Sequence, residues 1–375
     1  MFVKIQNAAF LQTVQEVCRI ALLGEQPSEG VIQISATNTG MVLEAENSIM
    51  GIRKELPAVC GMAVRQEGKV TLPAKYVFDL IRKIESDLTL ESLSHHQMEI
   101  RSGGAKITLN SLPIQRETSF PKNTIKGSGT WATIGLEIMA DMIRHTYYAQ
   151  SKNDKKPVLS GAYFSLKKGV ALMAATNSYR MAIDKRLISY GMDPASCIIP
   201  RQALNELHKL FQGQPGKAEF SIDHCLLRIQ YENTIIYTRL IEGTFPDVER
   251  FFSKKAPAIA FLDTNSFLKV IERALLFSGR SEHKMIRLAL DEEKKIQVSS
   301  METEMGTIIE CLEPESFEGG RNVCATVNGQ YLKDALLAYK GKKVKLGFAV
   351  GMGPIAIEGE EDESHIHFIS QVRHS

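Results

Sequence analysis

The residue types that most often bind metals are scattered along this chain of 375 residues. His365 and His367 alternate along a strand-like run and would share one of its faces, but no third ligand is near them in the sequence. His95 and His96 directly precede another strand-like run. None of the six cysteines forms a C-x-x-C pair: Cys18, Cys60, Cys197, Cys225, Cys311 and Cys324. This spacing indicates single thiols in a reducing compartment, and we predict neither a metal site nor a cofactor.

Motifs for catalysis are equally sparse. Gly351, Gly353 and Ala356 have the spacing of a dinucleotide-binding fingerprint, but a β-like run follows where that motif requires a helix. The sequence has no G-x-S-x-G, H-E-x-x-H or Walker motif. We therefore predict that the protein is not an enzyme.

Composition excludes several other classes of protein. Apolar residues make up 44% of the chain and charged residues 23%, which is typical of globular domains, and the length fits two or three of them. The longest apolar run, residues 170–175, is far shorter than the roughly 18 residues of a membrane span. The N-terminus lacks a signal-peptide pattern, so we expect a cytoplasmic protein without a membrane partner. A net charge of +2 does not by itself indicate nucleic-acid binding.

Two kinds of helical segment each recur three times. The first kind has apolar residues three or four positions apart, as in an amphipathic helix: Phe10, Leu11, Val14, Val17 and Ala21; Leu136, Ile138, Met139, Met142 and Ile143; Phe267, Leu268, Val270, Ile271, Ala274 and Leu275. The second kind comprises residues 76–84, 203–211 and 331–339. Pro73 and Pro200 would lie in first helical turns, where a missing N–H has no partner to lose. Pro73 and Pro200 are 127 residues apart, and Pro200 and Asn328 are 128 apart.

Strand-like runs occupy equivalent places in each repeat. Hairpins are predicted from residues 31–35 with 41–45, 163–166 with 170–173, and 286–290 with 296–299. Further pairs follow the second helices, at 98–101 with 106–109, 226–229 with 234–237, and 355–358 with 365–368. The pattern predicts an α+β protein of three similar domains, 1–122, 123–253 and 254–375, each with two helices packed on antiparallel sheets.

Several motifs within these repeats are distinctive. They are Lys156-Pro157-Val158-Leu159-Ser160-Gly161, Ala175-Thr176-Asn177-Ser178-Tyr179-Arg180-Met181-Ala182, Ile198-Ile199-Pro200-Arg201, and Arg239-Leu240-Ile241-Glu242-Gly243-Thr244-Phe245-Pro246-Asp247. Together, in this order and over a three-domain length, they resemble the bacterial sliding clamps, the processivity subunits of replicative DNA polymerases.

The resemblance implies the DNA clamp fold and a head-to-tail homodimer that closes into a ring around double-stranded DNA without reading its sequence. It also implies a non-catalytic role, in which short apolar peptide motifs tether DNA polymerase, the clamp loader and repair factors for processive replication. Six helices per chain give twelve per dimer, and at a spacing of 8–10 Å these would enclose a hole about 35 Å wide, enough for a duplex. Two alternatives remain open: a non-ring regulatory paralogue that binds DNA or peptides, and a DNA-processing enzyme on the same scaffold.

The predicted helices carry more basic than acidic residues. The basic ones are Arg19, Lys75, Arg82, Lys83, Arg144, Arg201, Lys209, Lys269, Arg273, Lys333 and Lys340, and the acidic ones are Glu16, Asp79, Glu137, Asp141, Glu206, Glu272 and Asp334. An excess of positive charge suits a surface that faces phosphates. For the predicted DNA-binding lining of the ring we name Arg82, Lys83, Lys152 and Arg201. The alternative is that these side chains only solvate helix faces.

The resemblance also implies a partner cleft, an apolar groove for peptides. Its residues are Leu159, Thr176, Ser178, Tyr179, Arg180, Met181, Pro246, Arg250, Phe251, Phe368, Ile369, Ser370, Val372 and Arg373. Leu159 and Met181 could equally be plain core residues. The family usually has Asp, then Gly or Ser, then His at positions 177–179, and an aliphatic residue or Met followed by Pro at 370–371. Residues 22–26 also lack an expected Arg. These departures suggest a divergent second clamp or a mobile-element version, with an altered peptide preference.

The resemblance further implies a dimer seam. Lys106, Ile107 and Leu109 on a strand of the first domain would meet Leu276 and Phe277, at the end of a helix of the third domain, in the other protomer.

Overall fold

The computed structural model of the protein describes residues 1–24, 30–58, 61–93, 96–112, 130–152, 155–190, 194–223, 225–251, 256–278, 284–290, 293, 295–301, 306–320, 323–349 and 351–372. The helices are α1 (Asn7–Ala21), α2 (Ala74–Ile81), α3 (Leu136–Thr146), α4 (Arg201–Phe211), α5 (Thr264–Leu276) and α6 (Gly329–Leu337). Each third of the chain contributes two of them. The strand pairs that the structure describes are antiparallel, so the predicted α+β architecture is confirmed.

The strands of the first third are β1 (Phe2–Ile5), β2 (Val31–Thr37), β3 (Gly40–Glu46), β4 (Met50–Pro57), β5 (Met62–Gln66), β6 (Gly68–Pro73), β7 (Leu88–Leu93), β8 (Gln97–Ser102) and β9 (Ala105–Asn110). The central third contains β10 (Thr130–Gly135), β11 (Gly161–Lys167), β12 (Val170–Thr176), β13 (Arg180–Leu187), β14 (Ser189–Tyr190), β15 (Ala195–Pro200), β16 (Lys217–Ile222), β17 (Leu226–Tyr231) and β18 (Thr234–Arg239). The last third contains β19 (Ala258–Asp263), β20 (Met285–Leu290), β21 (Ile296–Ser300), β22 (Ile309–Leu312), β23 (Ser316–Gly319), β24 (Cys324–Asn328), β25 (Lys343–Phe348), β26 (Ile355–Gly359) and β27 (His365–Ile369).

The chain forms two compact units. Unit 1 comprises Met1–Ala140, Leu166–Gly169 and Ile188–Ile241. One of its sheets has the strand order β5-β1-β7-β8-β9, and the other has the order β14-β10-β16-β17-β18-β4-β3-β2-β6.

Unit 2 comprises Asp141–Ser165, Val170–Leu187 and Glu242–Ser375. Its larger sheet runs β11-β12-β13-β27-β26-β25-β19-β23, and its smaller one runs β22-β21-β20-β24. Side chains of α5, α6 and the surrounding strands form one apolar core, which includes Phe267, Leu288, Leu332 and Phe348.

Strands of the central third complete sheets of both neighbours. In unit 1, β18 pairs with β4, and Ile236 lies opposite Ile52. In unit 2, β13 pairs with β27, and Met181 lies opposite Phe368. The sequence predicted three separate domains and gave no sign of this sharing. Both breaks between the predicted domains, after residues 122 and 253, lie outside the described residues, so the boundaries stay a prediction.

The predicted helix faces are mostly correct. Phe10, Val14 and Val17 of α1 are fully or almost fully buried, as is Phe267 of α5. The exception is Ile138 of α3, which is 39% exposed.

The second helix of each repeat begins two residues earlier than predicted, and α2 and α6 also end earlier than predicted. Pro73 and Pro200 are N-cap residues with extended backbones rather than members of the first turn. The reason is that β6 and β15 continue up to these prolines and lead directly into α2 and α4. Asn328 is the equivalent N-cap of α6, and its side chain accepts the N–H groups of Gln330 and Tyr331.

Within the described part of the chain, no helix combines the length and apolar character needed to cross a membrane.

Candidate functional site

The pair β13 and β27 carries four of the residues predicted for the partner cleft. Arg180 lies opposite Ile369, and Met181 lies opposite Phe368. Met181, Phe368 and Ile369 are all less than a tenth exposed, and so is Leu159, which ends the short 3₁₀ turn Pro157–Leu159. These apolar side chains are therefore already packed against the protein in the free chain. This agrees with the alternative that Leu159 and Met181 are core residues.

A tight turn between β12 and β13 raises two cleft residues into solvent. The Asn177 side-chain oxygen accepts the N–H groups of Tyr179 and Arg180 at 3.1 and 3.0 Å, and the Thr176 hydroxyl donates to the Arg180 carbonyl at 2.6 Å. Tyr179 is 65% exposed as a result. Its carbonyl accepts the N–H of Ser370, an exposed residue directly after β27. Three exposed residues of the partner cleft, Ser178, Tyr179 and Ser370, thus lie at one end of the β13–β27 pair.

Ser178 in this turn has a φ of +77°, the left-handed region that disfavours residues with a Cβ. We expect Ser178→Gly to raise the free energy of unfolding by about 0.5–1 kcal/mol, since released strain exceeds the entropy that glycine adds to the unfolded chain. Urea denaturation measures the change. Ser370→Gly is the control, because Ser370 does not have a positive φ. It should lower stability, and an equal gain in both variants would contradict the prediction.

Arg180 is predicted to hold peptide, but its guanidinium is already occupied. Nη1 donates to Asp334 at 2.6 Å, and Nη2 donates to the carbonyl of Tyr148 at 2.6 Å. The guanidinium carbon lies 5.0 Å from the ring centre of Tyr148 and 4.3 Å from that of Tyr331. With a side chain only 9% exposed, Arg180 braces β13 against α6 from within. This use differs from the expected direct contact with peptide.

The remaining cleft residues lie on two segments of unit 2. Pro246 and Arg250 are exposed, and Arg250 forms an ion pair with Asp247 at 3.0 Å. The rings of Phe251 and Phe368 are in contact, with centres 5.2 Å apart. Val372 donates its N–H to the Thr326 carbonyl, which ties the C-terminal segment to β24. Arg373 lies outside the described residues.

A buried polar cluster lies beside these residues, and the sequence analysis missed it. His145 Nδ1 is 2.7 Å from a carboxylate oxygen of Asp184, which also accepts two hydrogen bonds from Arg186. The imidazole of His365 stacks on that of His145, with ring centres 3.9 Å apart. Burial and then the neighbouring His145 lower the pKa of His365 to about 3.

His145, Asp184 and His365 offer ligand atoms within 4.8 Å of one another, so His365 does have the neighbours that the sequence analysis found missing. The arrangement nevertheless suits hydrogen bonds better than a metal. Both carboxylate oxygens of Asp184 accept from Arg186, and parallel stacked imidazoles aim their lone pairs side by side rather than at one point. Although burial disfavours ionisation of Asp184, the hydrogen bonds from His145 and Arg186 lower its pKa overall.

The basic residues of the helices, together with Lys152, fall into two groups. Five form ion pairs with carboxylates of this chain: Arg19, Arg144, Lys209, Arg273 and Lys333. The four residues predicted for the lining, Arg82, Lys83, Lys152 and Arg201, form no ion pair among the described residues, and the same holds for Lys75, Lys269 and Lys340. Arg82 packs on the ring of Phe78. Arg82, Lys83 and Lys152 are exposed and Arg201 is half-buried. Residues 25 and 26 of the altered loop lie outside the described residues.

The residues predicted for the dimer seam lie at surfaces suited to pairing. Strand β9 ends the five-stranded sheet of unit 1, where Lys106 is exposed and Ile107 and Leu109 are half-buried. Leu276, the last residue of α5, is 78% exposed and Phe277 follows it. In the described part of unit 2, β22 likewise ends its sheet and exposes Ile309. Edge strands that lie beside exposed apolar side chains are typical of surfaces that pair with a strand of another chain.

Comparison with known proteins identifies the family of this chain. Sequence models of the three domains of the DNA polymerase III beta subunit match the chain in order: the N-terminal domain at residues 1–121, the central domain at 133–247 and the C-terminal domain at 249–373. The chain belongs to the DNA polymerase III beta subunit family. This confirms the resemblance on which the sequence analysis relied.

Relatives of this member of the beta subunit family are named sliding clamps. The beta sliding clamps of Halalkalibacterium halodurans and Bacillus subtilis are 25% and 24% identical to it, over 98% of each chain. The crystal structure of the Bacillus subtilis DNA polymerase sliding clamp matches with a TM-score of 0.91 at 23% identity over the full length of both chains. A Pseudomonas aeruginosa sliding clamp bound to griselimycin matches with a TM-score of 0.90 at 19% identity, again over both full chains.

Proposed function

We propose that this chain is a DNA sliding clamp, a homodimeric ring that encircles duplex DNA and tethers DNA polymerase and other replication or repair factors for processive synthesis. The full-length match to three beta-subunit domains in their proper order carries the proposal. The protein would act in the cytoplasm as a processivity factor, without catalysing a reaction itself.

The distribution of charge supports weak contacts with DNA. An arginine or lysine that already forms an ion pair with a carboxylate attracts a DNA phosphate only weakly. Arg82, Lys83, Lys152 and Arg201 are unpaired, and they are the cations that we expect to release counterions from DNA. Few such contacts allow sliding, because no single position on the duplex is strongly preferred.

Two of the edge strands support a head-to-tail dimer. An exposed β9 in unit 1 and an exposed β22 in unit 2 are different surfaces, so pairing one with the other is heterologous and must close to avoid a filament. Lys106 on β9 and Glu310 on β22 each already form an ion pair within the chain, with Glu99 and Arg273, so exposed apolar side chains rather than charge would drive the pairing.

Retention on circular DNA tests the proposed function. Purified protein is loaded with a clamp loader onto nicked plasmid, separated by gel filtration, and the plasmid is then cut once. A sliding ring stays with the circle and is lost from the cut plasmid within minutes. Equal retention on both forms would favour a regulatory binder, and loss from both would exclude a ring.

Reversal of charge at the lining should weaken retention. We expect Lys83→Glu with Arg201→Glu to reduce DNA binding and to lower the slope of log affinity against log salt by about 1 for each lost phosphate contact. Fluorescence anisotropy of a labelled duplex at several salt concentrations measures the slope. Lys69→Glu with Lys217→Glu is the matched control, because both lysines are exposed on strands. A wild-type slope in the first variant would remove these residues from the lining.

An apolar residue at position 370 should strengthen peptide binding. Ser370 is exposed where the family usually has an aliphatic residue or Met. We expect Ser370→Met to tighten a peptide with Leu and Phe anchors by roughly three- to tenfold, since one more side chain is buried on binding. Anisotropy of the labelled peptide measures this, with Ser196→Met as an exposed control on β15. If both variants bind alike, Ser370 does not face the peptide.

A further inference from the structure

A column of stacked rings runs through the interior of unit 2. His365 lies between the rings of His145 and Tyr339, with centres 3.9 and 4.3 Å away and planes within 11° of parallel in both cases. His367 meets Tyr339 edge-on at 5.2 Å and lies 5.8 Å from the ring of Tyr148. Three histidines and two tyrosines from α3, β27 and the segments after α3 and α6 thus form one continuous column.

Tyr148 connects this column to the partner cleft through three separate contacts. Its hydroxyl is hydrogen-bonded to His367 Nδ1. Its backbone carbonyl accepts Nη2 of Arg180 at 2.6 Å, and its ring lies 5.0 Å from the guanidinium carbon. Rotation or displacement of Tyr148 would therefore move Arg180 directly.

Burying the imidazoles of this column costs free energy of desolvation. His365 and His367 are each 1% exposed, and the Nε2 atom of each is buried without a hydrogen-bond partner among the residues that the structure describes. Apolar side chains of similar shape would avoid that desolvation cost. Polar core groups are useful where one arrangement must be selected over others of similar packing. Here the arrangement that the polar contacts select is the one that holds Arg180.

Arg180 in turn holds two parts of the partner cleft together. It lies on β13 next to Met181, and its ion pair with Asp334 reaches α6. The Tyr331 ring also packs on the guanidinium, and the Tyr331 hydroxyl accepts a hydrogen bond from the Asn177 side chain in the exposed turn. The placement of one guanidinium thus affects both the buried wall and the exposed turn.

We propose that Tyr148 and His367 are positioning residues, which fix Arg180 and thereby preorganise the partner cleft for an apolar peptide. The inference rests on the proposed function, because it assigns a role to residues behind the same cleft. A preorganised cleft binds more tightly, since less ordering remains to be done when the peptide arrives.

Tyr148→Phe tests the proposal by removing one oxygen atom and keeping the ring. We expect a peptide with Leu and Phe anchors to bind three- to tenfold more weakly, and the Nε–H resonance of Arg180 to move in a ¹H–¹⁵N spectrum of the free protein. Tyr163→Phe is the matched control, because Tyr163 is a half-buried tyrosine that stacks on Phe245 outside the column. It should leave both measurements unchanged.

A double-mutant cycle with His367→Phe separates positioning from general loss of packing. If both residues act through one hydrogen bond, the double variant should bind peptide within twofold of Tyr148→Phe alone. Additive losses would overturn the proposal, as would an unmoved Arg180 resonance in Tyr148→Phe. If His367→Phe does not fold, the Arg180 resonance in Tyr148→Phe decides alone. If the parent chain binds no peptide, the proposed function fails, and the resonance still decides whether Tyr148 positions Arg180.

Discussion

Replacement of Leu276 and Phe277 together by alanine should convert the proposed dimer to folded monomers. Leu276 is 78% exposed in the single chain, which leaves most of its surface to be buried by a partner. Burial of two such side chains contributes roughly 3–6 kcal/mol, so we expect the dissociation constant to rise by about 10²- to 10⁴-fold. Sedimentation velocity over a concentration series measures the shift, and the same variant should lose retention on circular DNA.

The matched control for the seam is Leu187→Ala. Leu187 is 87% exposed on β13 and outside the predicted seam, so its removal tests the effect of trimming an exposed leucine as such. The control should remain dimeric. A dimer of unchanged affinity in the Leu276 and Phe277 variant would show that the protomers meet elsewhere.

Mild acid should destabilise unit 2 through the ring column. Burial lowers the pKa of His365 to about 3 and that of His367 well below its usual value, whereas both would titrate near 6.5 in the unfolded chain. Below about pH 6.5 the unfolded state binds protons at these histidines and the folded state does not. The free energy of unfolding therefore has its full value above about pH 6.5 and falls as the pH drops below it. Each histidine contributes about 1.4 kcal/mol per pH unit, hence about 2.7 for the two.

Burial and the neighbouring groups together determine this sign. Burial is the largest cause that lowers the pKa of His365, and His145 and Arg186 act in the same direction, whereas Asp184 and Asp362 favour the charged form. His367 faces His145, His365 and Arg180, all of which oppose its protonation. Burial also raises the pKa of Tyr148 and of Tyr339, so neither hydroxyl supplies a negative charge in this range.

Hydrogen exchange between pH 5 and 7, read in peptides that contain α6 and β27, measures the loss in unit 2. His365→Phe keeps a ring between His145 and Tyr339 and should reduce the pH dependence by about half. His96→Asn replaces an exposed histidine with a residue that tolerates its positive φ, and it should leave the dependence unchanged. An acid response that is identical in His365→Phe and the parent would assign the effect to other groups.

Periodicity predicted what depends on neighbours along the chain. The buried faces of α1 and α5 follow from the spacing of Phe10, Val14 and Val17 and of Phe267 and Ile271, because a helix turns a fixed angle per residue. The hairpin around Asn38 and Thr39 formed as predicted, since Thr37 pairs with Gly40 across a two-residue loop. The three-fold repeat of these patterns was enough to define the fold class.

Contacts between distant residues could not be found in this way. The cluster joins His145 to Asp184 and His365, and Arg180 meets Asp334, 154 positions along the chain. No local spacing encodes such pairs, so the sequence showed two histidines on a strand but not what surrounds them. The resemblance predicted Arg180 as part of the partner cleft, yet its buried guanidinium and the contacts of that group with Asp334 and Tyr148 became visible only in the folded chain.

The shared strands have a mechanical consequence. Where β18 continues the sheet of β4, and where β13 continues that of β27, any bending between successive domains must break or shear a ladder of backbone hydrogen bonds. A ring built from such chains would be stiff at these joints and compliant where its protomers meet. A clamp loader would therefore need to open only one contact between protomers to admit DNA. While that contact is open, the backbone amides of β4 and β27 should stay protected from hydrogen exchange.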